Sequence, residues 1–377
     1  MACVPNLPAA VRPLLVISTF VLILTFWFNL NLSTYSFTNA IFDYANPSFH
    51  QLESVDETVA TSQKTSVDKE VSDDEFAEPS VARQSSNVMQ LCPLVSPKLV
   101  GWTNLSLAKT TALRKESVTK LIEAGIKPGG RYQPKDCQSR HKVAIVVPYR
   151  NRKDHLTVFL HYMHPLLQRQ QLNYVVIVVE QSSRSAFNRG MLMNIGFNEA
   201  QLQEEFQCFI FHDVDLLPED DGNPYTCPEE GKPRQMSFSI DNWNNYKPTA
   251  ANHFGGVTAF SAKDFQKVNG YSNSFWGWGG EDDQLYQRVK FHNLTVARAY
   301  AGQPSLVRLV RYKTLSHKKA KPNPGRKLVL KEGSVRFQSD GLKDLRYKRL
   351  SFERKPLYTH IVVDIQPYSD RKIPNVL

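Results

Sequence analysis

The stretch KVAIVVPYRNR, residues 142–152, decides the fold. KVAIVV (142–147) is a continuous apolar, β-branched run ending at Pro148, and such runs fit strands covered on both faces of a parallel sheet. Downstream, DHLTVFLHYMHPLLQRQ (154–170) has helical periodicity up to Pro165, and YVVIVVEQ (174–181) is a second buried strand. NRGMLMNIGFNEAQ (188–201) gives a second helix with Asn188 near its cap, and CFIFHDVDLL (208–217) opens as a third strand. Strand–helix–strand–helix–strand predicts half of a right-handed, doubly wound α/β domain. Ligands of such sheets collect beyond the carboxyl ends of the strands. PYRNR follows the first strand and DVD the third, so both land on one rim.

The residues on that rim suit an anionic nucleotide. Asp213-Val-Asp215 ends an apolar strand, where alternation would send both carboxylates to one side. Hard oxygen ligands there suit Mg²⁺ or Mn²⁺ bridged to a diphosphate, although an acidic turn has the same spelling. Pro148-Tyr149-Arg150-Asn151-Arg152 offers an aromatic plane and two guanidinium groups, for a base or ribose and for phosphate oxygens. Phe187-Asn188-Arg189 repeats that chemistry at a helix start. FWGWGGEDD (275–283) sets two Trp among glycines ahead of three acids that open the helix EDDQLYQRV. Aromatic faces suit sugar rings, glycines let backbone approach a ligand, and the acids suit the helix dipole. His317, before Lys-Lys-Ala-Lys-Pro-Asn-Pro, sits in a loop that could close over an anion.

Around this body the composition changes. The chain has 377 residues, 41% hydrophobic and 11% aromatic, which excludes a wholly disordered chain, a collagen and a small disulfide-stapled module. LLVISTFVLILTFWF (14–28) is uncharged, and with NLNL behind it reaches residue 32, long enough to cross a thin bilayer. No convincing cleavage site follows, so an uncleaved anchor fits better than a signal peptide. Arg12 precedes the span and no Lys or Arg follows until Lys64, which places the body in the lumen by the positive-inside rule. Residues 33–90 carry a balance of −7 and read as a solvated tether, while 91–377 carry +16. A basic body suits nucleic acid, phosphate esters, nucleotides or a membrane surface, or plain solubility; luminal topology leaves nucleic acid out. Five Cys allow two bridges with one left over. Asn104-Leu-Ser and Asn293-Leu-Thr are glycosylation sequons.

HKVAIVVPYRNR, FNRGMLMNIGF, FHDVDLLP, HFGGVTAFS and FWGWGGEDD, in this order, resemble the β-1,4-galactosyltransferase family, Golgi type II membrane enzymes with a GT-A fold. The similarity runs from Leu91-Cys92-Pro93 to Val363-Asp364-Ile365. It implies a cytosolic tail (1–13), a transmembrane signal anchor (14–32), a luminal stem (33–90) and a Rossmann-like α/β catalytic domain of GT-A type (91–377). It also implies UDP-Gal or UDP-GalNAc as donor, Mn²⁺ with Mg²⁺ tolerated, and inverting transfer to the 4-hydroxyl of a GlcNAc-terminated glycan. Pro148, Tyr149, Arg150, Arg152, Phe187, Asn188, Arg189, Asp213, Val214, Asp215, Trp278 and His317 would then bind the UDP-sugar. Asp215 and His317 would hold the metal. Gly279, Gly280, Glu281, Asp282, His253 and Arg326 would meet the acceptor, with Asp282 as general base beside Glu281 and Asp283. Cys92–Cys137 and Cys208–Cys227 would be the disulfides, leaving Cys3 in the tail.

Two departures from the family pattern matter. His253 stands where galactose-transferring members place Tyr before Phe-Gly-Gly, and Ala250 replaces an acceptor-side aromatic. The first position sets whether galactose or N-acetylgalactosamine fits. Thr314 stands at the third metal ligand, a Met in the family, and exchanges a soft donor for a hard one. GlcNAc transfer by the same fold, or a catalytically weak lectin-like member, are the alternatives.

Overall fold

The computed structural model describes residues 89–103, 115–182, 185–243, 245–318 and 320–367. The tail, the span expected at 14–32, the stem up to residue 88 and the Asn104 sequon lie outside the described residues. Among the described residues no helix is long and apolar enough to cross a membrane.

The chain lays down α1 (Lys115–Glu123), β1 (Arg131–Tyr132), β2 (Lys142–Tyr149), α2 (Lys153–Arg169), β3 (Asn173–Gln181), α3 (Arg189–Gln201) and β4 (Cys208–His212). The short strands β5 (Leu216–Pro218), β6 (Arg234–Gln235) and β7 (Ser239–Ile240) follow, then β8 (Val257–Ser261), α4 (Ala262–Lys267) and α5 (Glu281–Phe291). The last elements are β9 (Arg311–Thr314), α6 (Arg326–Gly333), β10 (Lys348–Arg354) and β11 (Thr359–Asp364). The main sheet runs β10-β11-β3-β2-β4-β8-β6, with β1 beside β3, and β5-β9-β7 form a second small sheet. β3, β2 and β4 are parallel, the doubly wound half expected from the sequence, and β11 joins β3 as a fourth parallel strand that the sequence reading did not place. β8, β6 and β10 add antiparallel strands that the apolar runs did not announce, which makes the sheet mixed.

The apolar runs are continuous because both faces of the sheet are covered. On β2, Val143, Ile145 and Val147 face Phe159, Met163 and Leu166 of α2, whereas Ala144 and Val146 face Met191 and Ile195 of α3. Helix α2 does not stop at Pro165 as the periodicity suggested, but continues to Arg169. Proline costs a backbone hydrogen bond in a helix interior. Here Leu166 and Leu167, both fully buried, anchor the turn beyond it, so core packing overrides local propensity.

Two disulfides, Cys92–Cys137 and Cys208–Cys227, join the pairs that the resemblance implied. The first bolts the entering chain to the segment just before β2. Cys92 N donates to Gln138 O, Gln138 N donates to Gln90 O, both at 2.8 Å, and Arg140 Nε donates to Cys92 O at 2.7 Å.

Candidate active site

The carboxyl ends of β2, β3 and β4 converge because the strands are parallel and in register, Val146 beside Ile177 and Phe211. β4 ends at His212, so Asp213-Val214-Asp215 lies in the turn beyond it rather than on the strand. Strand alternation therefore does not aim the two carboxylates together, and each has its own partner. Asp213 Oδ1 accepts from Arg189 Nε at 2.6 Å, while Asp215 Oδ2 stands 3.1 Å from His317 Nδ1. Val214 is buried between them.

Arg189 is the organiser of this floor, not an open phosphate clamp. Its side chain is 13% exposed; besides Asp213 it reaches Glu281 Oε1 at 3.7 Å and donates to Gly256 O at 3.2 Å. One guanidinium thus faces two carboxylates, with a third next door. Burial pushes Asp213 up to about 6 against the pull of Arg189, with Asp215 and Asp282 adding repulsion. Glu281 is pushed up to about 7, first by burial and then by Asp282, again against Arg189. Asp215 is also raised by burial, and His317, Arg152 and Arg189 oppose the rise.

Two more expectations need correcting. Asn188 is fully buried, and its polar atoms are committed. Its Oδ1 caps α3 by accepting from Met191 N at 2.9 Å, and its Nδ2 donates to Asn273 O at 2.8 Å. Tyr149, the last residue of β2, is buried in the core, so its ring is not the plane offered at the rim. That plane is Phe187, with the Arg150 guanidinium 5.2 Å above it and donating to Ser185 O at 2.8 Å. Pro148 is buried in β2 beside Tyr149, and Arg152 follows at the cap of α2.

The Trp-Gly loop supplies the opposite wall. Gly279 and Gly280 have φ of 99° and 101°, and a Cβ on Gly280 would stand 2.6 Å from the Phe275 ring, so only glycine fits there. Gly280 caps α5, which begins Glu281-Asp282-Asp283. Asp282 lies flat on Gly255: a Cβ there would meet its carboxylate at 2.5 Å, which explains the Phe-Gly-Gly sequence. Asp283 is exposed and donates its N–H to Asp282 Oδ1 at 3.0 Å. Trp278 is 57% exposed; its backbone bridges Pro322, and Arg326 lies 5.9 Å over its ring. Thr314 ends β9 opposite Leu216, and its N–H donates to Asp241 Oδ1 at 2.9 Å.

Sequence reasoning missed three neighbours. Trp243, half exposed, meets His253 edge-on at 4.7 Å, and burial lowers the His253 pKa. His155 bonds Ser316 O at 3.2 Å and packs edge-on to His317 at 5.9 Å. Asp241 takes both Thr314 and Lys313. None stands in a recognisable motif; each joins the site through the fold.

The chain is similar to known glycosyltransferases in sequence and in fold. Residues 92–228 match the model of the N-terminal region of glycosyl transferase group 7, and 234–318 match the N-terminal domain of galactosyltransferase. β-1,4-Galactosyltransferase 1 of Mus musculus is 44% identical over 278 residues, 73% of this chain and 66% of that protein. β-1,4-Galactosyltransferase 4 of Cricetulus griseus is 40% identical over 276 residues, 72% of this chain and 76% of that protein. Among solved structures, the catalytic domain of Drosophila β1,4-galactosyltransferase 7 complexed with xylobiose is similar, with a TM-score of 0.52 and 26% identity. It covers 60% of this chain and 94% of that one. A point mutant of the same enzyme, complexed with manganese, UDP-Gal and xylobiose, gives a TM-score of 0.51 at 27% identity, with the same coverage of both chains. By sequence match and by fold, the chain belongs to the β-1,4-galactosyltransferase family of glycosyltransferases.

Proposed function

We propose that this chain transfers N-acetylgalactosamine or galactose from a UDP-sugar, with inversion, to the 4-hydroxyl of a terminal β-GlcNAc on glycoprotein or glycolipid glycans. It would act in the Golgi lumen as a single-pass type II membrane protein. The observation that carries this is Asp282, laid on Gly255 beside the buried Arg189–Glu281–Asp213 cluster and facing the cleft.

Asp282 is the base because it alone of the acids at the start of α5 is both near the cluster and partly open. Glu281 is buried and raised, which suits a group that holds its proton near neutrality. Asp282 takes the proton of the acceptor 4-hydroxyl as that oxygen attacks the anomeric carbon and the bond to UDP breaks. Phe187 offers its face to the uridine, and Arg150 and Arg152 face the phosphates. Trp278 covers the reacting sugars and excludes water.

The donor set of Asp215 and His317 fits Mn²⁺: a carboxylate oxygen and an imidazole nitrogen converge to 3.1 Å, 20% and 25% exposed, and diphosphate oxygens would complete the set. A divalent ion bound there would neutralise the leaving diphosphate. The Thr314 backbone N–H donates to Asp241 while its hydroxyl oxygen is buried without a partner; as a neutral hydroxyl it would be the weakest ligand of that set.

The donor follows from His253. Its Nε2 is buried without a hydrogen-bond partner, beside Trp243. An unpaired buried polar atom is costly, and the acetamido group of UDP-GalNAc would satisfy it where a hydroxyl reaches less far. The test is turnover with Mn²⁺, a β-GlcNAc acceptor and UDP-Gal, UDP-GalNAc or UDP-GlcNAc. UDP-GalNAc turnover at least equal to UDP-Gal is expected, with His253→Tyr shifting the preference towards UDP-Gal. Strict use of UDP-Gal by the parent protein would overturn the donor assignment.

A further inference from the structure

We propose that Asn293 carries an N-linked glycan whose first N-acetylglucosamine lies on the exposed face of Phe291. The proposal rests on the luminal placement above. It starts from the end of α5, where Phe291-His292-Asn293-Leu294-Thr295 leaves the helix. Leu294 N donates back to Val289 O at 3.0 Å and Asn293 N to Lys290 O at 3.1 Å, a Schellman-type stop with Asn293 left-handed at φ 57°. Leu294 is buried at 3%, which pins the turn, while Asn293 and Thr295 are both exposed. An N-glycan is added before the fold closes, so the finished fold must leave the asparagine and its threonine outside. This turn does.

Helix stopping alone would account for an asparagine at 293. It does not account for the neighbour two residues earlier. Phe291 is 55% exposed, yet its ring is not loose: His292 meets it edge-on at 5.1 Å and Phe337 at 5.4 Å. A large aromatic held rigid and left half in water is a ready platform. It lines a groove of about 560 Å³ between α5 and α6, with Tyr286, Leu330 and Phe337 as its other apolar members. Two residues of chain separate the Cα atoms of Phe291 and Asn293 by at most about 7 Å. A pyranose on the Asn293 amide is therefore within reach of the ring, and its C–H face is drawn to the negative face of the aromatic.

The bond-making step balances without an oxidant. The Asn293 Nδ2 attacks the anomeric carbon of a lipid-diphosphate-linked oligosaccharide. A C–N bond forms, the C–O bond to the diphosphate breaks, and one amide proton is released to base. Phe291 takes no part in that step; its work is to seat the sugar afterwards.

The experiment uses the full chain expressed in animal cells. Microsomes are treated with protease without detergent, and the protected body is released with peptide-N-glycosidase F in heavy-oxygen water and mapped. Conversion of Asn293 to labelled Asp in a protected body is expected, and Thr295→Ala should abolish it while leaving the helix stop intact. A protected body with unmodified Asn293 overturns the site. An unprotected body overturns the luminal placement, and the site with it. Seating is read from thermal unfolding: Thr295→Ala should lower Tm by about 2–4 °C beside Phe291. In Phe291→Ala, or in Phe291→Leu where bulk is kept, the same change should do nothing. An equal drop in those backgrounds overturns the stacking.

Discussion

Asp282 owes its position to what it lacks behind it. With hydrogen in place of a side chain at Gly255, the carboxylate drops into the floor of the cleft, close enough to Asp213 and Glu281 to repel both. Asp282→Asn should lower turnover by about 100-fold or more, the usual scale for a lost general base, and leave UDP affinity almost unchanged. Steady-state rates beside UDP titration check this; near-normal turnover would remove Asp282 from that role. At this scale the residue types were legible in the sequence and their exposure was not. Asp213, Asp215 and Asp282 stand out as acids at a strand end and a helix start and His317 as a histidine in a basic loop, while the role proposed for each comes from the family resemblance. Arg189 and Asn188 were taken for open ligand contacts. Their partners Asp213, Glu281 and Asn273 come from other parts of the chain, and a linear motif carries no sign that one guanidinium will be shared between them.

The loop that carries Trp278 is held at its base by a buried bracket between elements. Asp340 accepts from Asn273 N at 2.8 Å and from the hydroxyls of Ser272 and Ser274. Arg288 of α5, fully buried, donates to Asp340 O at 2.6 Å, with the carboxylate 3.7 Å away; burial pulls its pKa down to about 10. Asn273 in turn holds Asn188 and Asn194 of α3. Asp340→Asn removes the stronger of the two counter-charges of Arg288, Asp344 being the other, and should cost about 3 kcal/mol, the scale for breaking a buried pair. Urea unfolding measures the loss, and a change within a few tenths of a kcal/mol would mean that carbonyls alone satisfy Arg288. The elements themselves were largely legible: three buried strands and two helices fell where apolar runs and periodicity put them. Pro165 misled because propensity is local, and the antiparallel strands β6, β8 and β10 were missed because they are short or carry polar residues.

Across the whole molecule, buried titrating groups oppose one another. His164 and His212, buried in the core, are both held down to about 4 by burial, so each must stay neutral in the folded state. The unfolded chain binds their protons first, and their stabilisation fades as pH falls below about 6.5. Asp220, Asp213 and Glu281 are raised to about 6, 6 and 7, and act in the opposite sense: the folded state takes their protons first as pH falls from about 7. His141, His155, His253 and His292 are also held down by burial and side with the first pair, so the three carboxyls offset part of what the histidines lose on acidification from pH 7 to 5. Asp220→Asn removes one compensating group, whose carboxyl receives Gly222 N at 2.8 Å, and should cost about 1 kcal/mol more at pH 5 than at pH 7. Urea midpoints at the two pH values decide it; an identical difference at both would show that Asp220 titrates normally.

The bridge between Cys92 and Cys137 has a mechanical consequence. A pull on the chain ahead of Gln90 is passed across the sulfur bridge, and by the Gln90–Gln138 and Cys92–Gln138 hydrogen bonds, straight to the threshold of β2. The described parts of the intervening 93–136 segment lie off that line of force but are tied to the body themselves: Val100 N and Gly101 N donate to the Asp221 carboxylate, Thr103 N donates to Glu219 O, and β1 pairs with β3. The load reaches the central strand of the sheet, which bonds to both β3 and β4 and must be sheared out lengthwise rather than peeled. In a reducing medium that short circuit opens, and the same tug must first break the Asp221 and Glu219 contacts of residues 100–103 and then peel β1 from β3 before it reaches β2.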